Sequence, residues 1–127
     1  VVKVNPRAKH VIMDIWEPQN IDLDNKDELL ELLLDLVEVS GARLVKIVVN
    51  KYESQGLTVI GIVAESHIVI HTWPEENYFG IDVYTCGNTY PEKTVPLIRE
   101  KYSPKKMLVR ILVRGDKHDT SIQLYQY

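Results

Sequence analysis

Residues 64–87 read AESHIVIHTWPEENYFGIDVYTCG, and the reading of this stretch organises the rest of the chain. Its two ends carry β-branched and aromatic residues, Ile68, Val69 and Ile70 and then Ile81, Val83 and Tyr84, which favour strands. Trp73-Pro74 and Asn77–Gly80 between them read as a connection, so the two strands are expected to form an antiparallel pair. Side chains alternate along a strand. His67, Val69, His71 and Trp73 then share one face, as do Asp82, Tyr84 and Cys86 on the next strand. This arrangement is expected to bring Cys86 close to His71, which makes the stretch a candidate reactive centre.

Upstream, Lys9–Trp16 alternates as a first strand, with Val11, Met13 and Ile15 set against Ile12, Asp14 and Trp16. A helix is expected over 25–40. Asn25 as N-cap with Glu28 three residues later forms a capping box, in which each side chain satisfies a free amide. Leu29, Leu30, Leu33, Leu36 and Val37 make its buried stripe, and Gly41 suits the position after its end. Strands follow over 43–52 and 57–64. Pro91 opens a second helix through about Tyr102, with Pro96 implying a kink or a short first segment, and 105–114 is a last strand. The polar tail 115–127 is expected to be loose.

Strand, helix, four strands, helix, strand is an α+β order. It predicts a two-layer α/β sandwich, a mainly antiparallel sheet with both helices on one face. The other face is left to water or to a partner, and a face-to-face homodimer fits that need. At 127 residues, with 45% hydrophobic and 26% charged residues, the chain 1–127 reads as one globular domain. A net charge of −3 without a basic stripe argues against a nucleic-acid partner. The lone cysteine, Cys86, cannot make an intrachain disulfide, which points to a reducing cytoplasmic setting. No apolar run has the length of a membrane span, and residues 1–20 lack a signal-peptide pattern.

Three chemistries can be weighed for the central stretch. His67 and His71 stand four apart on a strand, about 13 Å, too far for both to reach one metal ion; no metal site is expected. A Cys86–His71 nucleophile is conceivable, but nothing local lowers the thiol pKa, and a buried inert thiol is the simpler reading. The third begins at Glu65–Ser66. A serine hydroxyl held against the preceding carbonyl can attack it, turning amide into ester. Elimination then breaks the chain and leaves a pyruvoyl ketone, an electron sink comparable to PLP. From the residues alone, an ordinary serine opening a strand reads equally well.

AESHIVIHTWPE followed by IDVYTCG resembles the signature of the small prokaryotic pyruvoyl-dependent S-adenosylmethionine decarboxylases, which cleave themselves. The spacing agrees: His71 lies five after Ser66, and Cys86 fifteen after His71. The resemblance extends more loosely over most of 9–113. It implies cleavage between Glu65 and Ser66, with Ser66 becoming the pyruvoyl group that holds substrate as a Schiff base. It implies that His71 assists processing, that Thr58 supports it, and that Cys86 returns a proton to the substrate carbon. Glu75 matches the acid that receives the ribose hydroxyls, Tyr52 the ring set against adenine, and Trp73 accompanies them in the substrate site. The resemblance further implies a two-layer sandwich that dimerises with sites at or near the interface, feeding spermidine biosynthesis with an aminopropyl donor.

The chain departs from the pattern in two places. Many relatives have Phe-x-Pro-x-Gly-Val-Ser-Gly where this chain has Tyr52-Glu53-Ser54-Gln55-Gly56-Leu57-Thr58-Val59. After Trp73-Pro74-Glu75, where relatives often carry Tyr-Gly-Tyr-Ala-Ala, it carries Glu76-Asn77-Tyr78-Phe79-Gly80. These changes put the substrate pocket in question, through Phe79 filling it or Glu76 adding a charge. They keep open a pyruvoyl-dependent arginine decarboxylase of the same family, with Glu76 holding the guanidinium. A reading from another class is an uncleaved, non-enzymatic regulatory paralogue.

Overall fold

The computed structural model describes residues 8–127; the first seven residues of the expected domain lie outside the described part. Period-two hydrophobicity sets the architecture. Strands β1 (Ala8–Trp16), β2 (Leu44–Lys51), β3 (Leu57–Val63), β4 (Ser66–Trp73), β5 (Tyr78–Cys86), β6 (Lys106–Arg114) and β7 (Ile122–Gln126) form one sheet in the order β2-β3-β4-β5-β1-β6-β7. Every pairing is antiparallel. The alternate residues Val11, Met13 and Ile15, Ile68 and Ile70, Phe79, Ile81 and Val83, and Met107 and Val109 are fully buried. They face the two helices, α1 (Lys26–Ser40) and α2 (Thr94–Tyr102). The expected α+β sandwich with its helices on one face is the observed fold.

Local chemistry accounts for the helix ends. Asn25 Oδ1 accepts the Glu28 amide at 3.0 Å, and Gly41 closes α1 at φ +75. The capping box is only half made: Glu28 Oε1 accepts from the Asp22 amide, and the Asn25 amide donates instead to the Asp22 carbonyl. The buried stripe is Leu29, Leu32, Leu33, Leu36 and Val37, with Leu30 at its margin. Leu32 joins the stripe because it lies one turn from both Leu29 and Leu36, on the side of α1 that meets the core, whereas Leu30 falls at the edge of that arc. Before α2, Pro91–Lys93 forms the short first segment, a 3-10 turn, and Pro96 sits in the first turn of α2, where its missing amide has no partner to lose.

The tail corrects the expectation of a loose segment. Ile122–Gln126 pairs with Leu108–Leu112 as an edge strand, and Tyr127 exchanges both backbone hydrogen bonds with Met107. Every residue of β7 is exposed, so no apolar core pattern marks it in the sequence; ladder bonds and the Arg99 guanidinium 3.8 Å over the Tyr127 ring hold it. No described helix is long and apolar enough to cross a membrane. Leu32→Ala should cost about 2–5 kcal/mol in urea unfolding. The half-buried Leu30 should cost clearly less when truncated, and equal losses would return Leu30 to the core stripe.

Candidate active site

Alternation puts His67, His71 and Trp73 on β4 and Cys86 on β5 on the sheet face away from the helices, while Ser66 opens β4 at its end. The register of β4 against β5 pairs Ser66 with Thr85, His67 with Tyr84, Val69 with Asp82 and His71 with Gly80. Successive strand residues advance about 3.3 Å. Ser66 and His71 therefore stand about 16 Å apart along one strand, and Cys86 lies beside Ser66 at the far end from His71. The expected closeness of Cys86 and His71 is not found, because antiparallel pairing sends the end of β5 back to the start of β4. The open face carries two groups of residues, one at each end of the central strands.

The first group surrounds the Glu65–Ser66 bond. Ala64 and Glu65 are the two residues linking β3 to β4, since Val63 pairs directly with Ser66. Ser66 has φ 148, a conformation that costs an L side chain energy. The Glu65 carbonyl accepts twice from Cys86, from its amide at 3.2 Å and its thiol at 3.1 Å. A serine hydroxyl thus adjoins a carbonyl carbon whose oxygen already has two donors, the arrangement that stabilises a developing oxyanion. Glu65 is itself held: its carboxylate accepts from the Arg43 amide at 3.0 Å and faces the Arg43 guanidinium at 3.7 Å. Cys86 is exposed, so the simpler reading of it as a buried inert thiol does not hold.

The second group forms a chain of hydrogen bonds. Tyr52 Oη lies 2.9 Å from Thr58 Oγ1, which lies 3.1 Å from His71 Nδ1. With Gln55, Thr72, Trp73 and Glu75 these residues line an open cleft of about 380 Å³, a volume within the range of small-ligand sites. The turn before β3 is fixed by Gly56. Its amide donates to Asp24 Oδ1 at 2.8 Å, its φ is +98, and an added Cβ would meet the Thr72 carbonyl at 2.8 Å. Phe79, one of the two departures, is fully buried on the helix side and does not enter the cleft. Glu76 is exposed and stands outside the cleft lining. The expected crowding and recharging of the pocket are therefore both corrected: alternation sends Phe79 into the core.

Residues not singled out from the sequence complete the face. His10 Nε2 lies 3.2 Å from Asp82 Oδ1, and this hydrogen bond in the first place holds the Asp82 carboxyl below its ordinary pKa. Tyr78 donates to Asp14 Oδ1 at 2.6 Å, and Arg110 reaches Asp14 Oδ2 at 3.2 Å. Burial first, and that bond second, push the Tyr78 phenol well above its usual value. Tyr78 also stacks between Trp16 and Trp73, with centroids 5.2 Å away on each side. The alternation of β1 marks His10, Asp14 and Trp16 as one face, but their partners come from β5 and β6, and no local spacing announces them. Among the described residues no three His, Cys, Asp or Glu side chains gather as a metal site.

The Ser66 conformation makes a prediction about stability. Glycine tolerates this φ and alanine does not, so the Ser66→Gly chain should melt about 3–5 °C above the Ser66→Ala chain. Thermal unfolding of the two uncleavable variants checks this; a lower melting point for Ser66→Gly would show that the hairpin is unstrained.

The geometry can be set beside that of known proteins. The family model described as S-adenosylmethionine decarboxylase matches residues 9–115. The chain is 40% identical over 109 residues to the S-adenosylmethionine decarboxylase proenzyme of Methanococcus vannielii, covering 85% of this chain and 89% of that one. It is 40% identical over 110 residues to the proenzyme of the same description from Thermomicrobium roseum, covering 85% and 93%. Its structure is similar to the crystal structure of the adenosylmethionine decarboxylase from Aquifex aeolicus, with TM-score 0.80 and 26% identity over 94% of this chain and all of that one. A strained Glu-Ser hairpin at one end of this sheet thus sits in a chain that belongs to the S-adenosylmethionine decarboxylase family of carboxy-lyases.

Proposed function

We propose that the protein cleaves itself between Glu65 and Ser66 and then decarboxylates S-adenosylmethionine, yielding the aminopropyl donor for spermidine synthesis. One observation carries the reading: the Ser66 hydroxyl adjoins a Glu65 carbonyl held by two donors from Cys86. A pyruvoyl group formed from Ser66 supplies the electron sink that decarboxylation needs. Ser66 fits that origin, since it stands at the hairpin that opens β4, in a strained backbone that cleavage releases. Fragments 1–65 and 66–127 stay together afterwards. β1 of the first lies between β5 and β6 of the second, and β3 pairs with β4 across the cut.

The roles of the remaining residues follow from their places. Cys86, exposed beside Ser66, is positioned to return a proton to the substrate carbon. The cleft at the other end suits an adenosine: the Tyr52 ring stacks on adenine, Glu75 accepts the ribose hydroxyls, and Trp73 walls the site. Thr58 holds His71 Nδ1, orienting the imidazole that removes the ester's α-proton during processing. The arginine reading rested on Glu76, whose position outside the cleft lining favours S-adenosylmethionine. The regulatory-paralogue reading leaves Ser66, His71 and Cys86 without a purpose. The lone cysteine supports a cytoplasmic setting.

About 16 Å separates Ser66 from the His71 of its own chain, which favours a homodimer that shares its sites. Open-face residues Val48, Ile62, Ile122 and Leu124 are exposed apolar side chains of the kind a second sheet covers. Facing sheets pack about 10 Å apart. A two-fold axis lying between two such faces, across the strands, sets the Ser66 and Cys86 end of one protomer over the Thr58 and His71 end of its partner.

Intact mass of denatured protein tests the central claim. Two fragments split at Glu65–Ser66 are expected, the second taking up a carbonyl-trapping amine, with carbon dioxide released from S-adenosylmethionine; release from arginine alone would overturn the substrate. Mixing separates the dimer claim. Ser66→Ala and His71→Ala chains should each stay whole alone. Refolded together, they should restore cleavage of the His71→Ala chain only, and no restoration would place both residues in one protomer's site.

A further inference from the structure

The Ser66 hydroxyl has a second neighbour besides the carbonyl. His67 Nδ1 lies 3.3 Å from Ser66 Oγ, and the imidazole is half-buried on the open face. Its surroundings are built from three further strands. The Tyr84 ring of β5 packs edge-on at 5.4 Å, and the His10 ring of β1 lies at 6.5 Å and is tied to Asp82 at 3.2 Å. The Arg114 guanidinium of β6 lies over the Tyr84 ring, 4.3 Å from its centre. On β3 the cross-strand neighbour is the uncharged Ile62, which in turn pairs with Lys46 on β2. No role falls to this histidine in the steps described above.

Resting on the self-cleavage reading, we propose that His67 is the proton-transfer residue of the first processing step, the shift of the Glu65 acyl group from the Ser66 nitrogen to Ser66 Oγ. With its proton on Nε2, the ring accepts the Oγ–H proton at Nδ1. Oγ bonds to the Glu65 carbonyl carbon, and the displaced electron pair moves to the oxygen held by the Cys86 amide and thiol. The carbonyl re-forms as the carbon–nitrogen bond breaks, and His67 gives its proton to the departing Ser66 nitrogen. The product is an ester and a free amine, with no atom lost and no oxidant or reductant required. His71 then serves the later elimination, so the two histidines divide the two proton transfers between them.

The environment keeps His67 in the base form. Burial first, then His10, lower its pKa below that of an ordinary imidazole; Asp82 opposes them, and Arg114 adds to the lowering. A neutral ring is the competent one. Cleavage should hold its rate through neutral pH and fall only as pH drops through that lowered value, where Nδ1 becomes protonated and ceases to accept.

Full-length proenzyme, prepared denatured and refolded into buffers from pH 5 to 9, gives the test, with intact mass against time as the reading. The parent chain should cleave with an acid limb. His67→Asn, which keeps a polar group but cannot titrate, should cleave about 10²–10⁴-fold more slowly and lose that limb. His67→Ala should be equally slow and should regain rate with added imidazole. Melting temperatures of both variants show whether they fold, and restoration by imidazole would itself rule out a misfolded chain. A parent chain that never cleaves sinks the self-cleavage reading. A parent chain that cleaves, with His67→Asn matching its rate and pH profile, sinks the role of His67 alone. Slow folded variants that keep the acid limb and ignore imidazole overturn it as well.

Discussion

The antiparallel register between β4 and β5 is the constraint from which the functional geometry follows. It fixes two things at once. Alternation sends Ile68, Ile70, Ile81 and Val83 to the helices and leaves the histidines, Asp82, Tyr84 and Cys86 on the open face. Reversal of direction places Cys86 back beside the hairpin that opens β4, where its amide and thiol both meet the Glu65 carbonyl. A slip of one residue would exchange the faces, burying imidazoles and exposing isoleucines. The cost of that exchange is what keeps the Glu65 carbonyl in the grip of Cys86.

The same register explains how a small sheet holds a strained bond without loosening. Ser66 is confined by ladder pairing on both sides, to Val63 on β3 and to Thr85 on β5. The Glu65 side chain is anchored to Arg43, outside the hairpin. A residue at an unfavourable φ persists only where its surroundings over-determine it, and here three strands and an ion pair do so. The segments on either side of the Glu65–Ser66 bond are interleaved, with β1 between β5 and β6, so the core does not depend on the strained peptide.

The parts of this arrangement legible in the sequence are those with short period. The strands, the first helix and the common face of His67, His71 and Trp73 all follow from local alternation. The short segment before α2 followed from Pro91 and Pro96. What was not legible depends on register. His10 and Asp82 are 72 residues apart in sequence and meet only because β5 lies beside β1. The separation of Cys86 from His71, by contrast, was implied by the antiparallel pairing expected from the sequence, which sends the end of β5 back to the start of β4. β7 was hidden for another reason: an edge strand exposed throughout carries no core pattern, and backbone pairing holds it without one.

The separation of the two residue groups bears on how processing and turnover share one surface. The Ser66 end holds a hydroxyl, a carbonyl with two donors, a thiol and an imidazole. The Tyr52 end holds a cleft, a carboxylate and an oriented imidazole, but no electrophile. The two groups stand about 16 Å apart, too far to combine by side-chain motion alone. In the homodimer proposed above, two faces related by a two-fold axis would combine both groups twice with a single interface. Under that arrangement a chain can begin the acyl shift with its own His67, while elimination and substrate capture wait for assembly. On that proposal a lone protomer, lacking its partner's His71, would halt at the ester and carry no unpartnered electrophile.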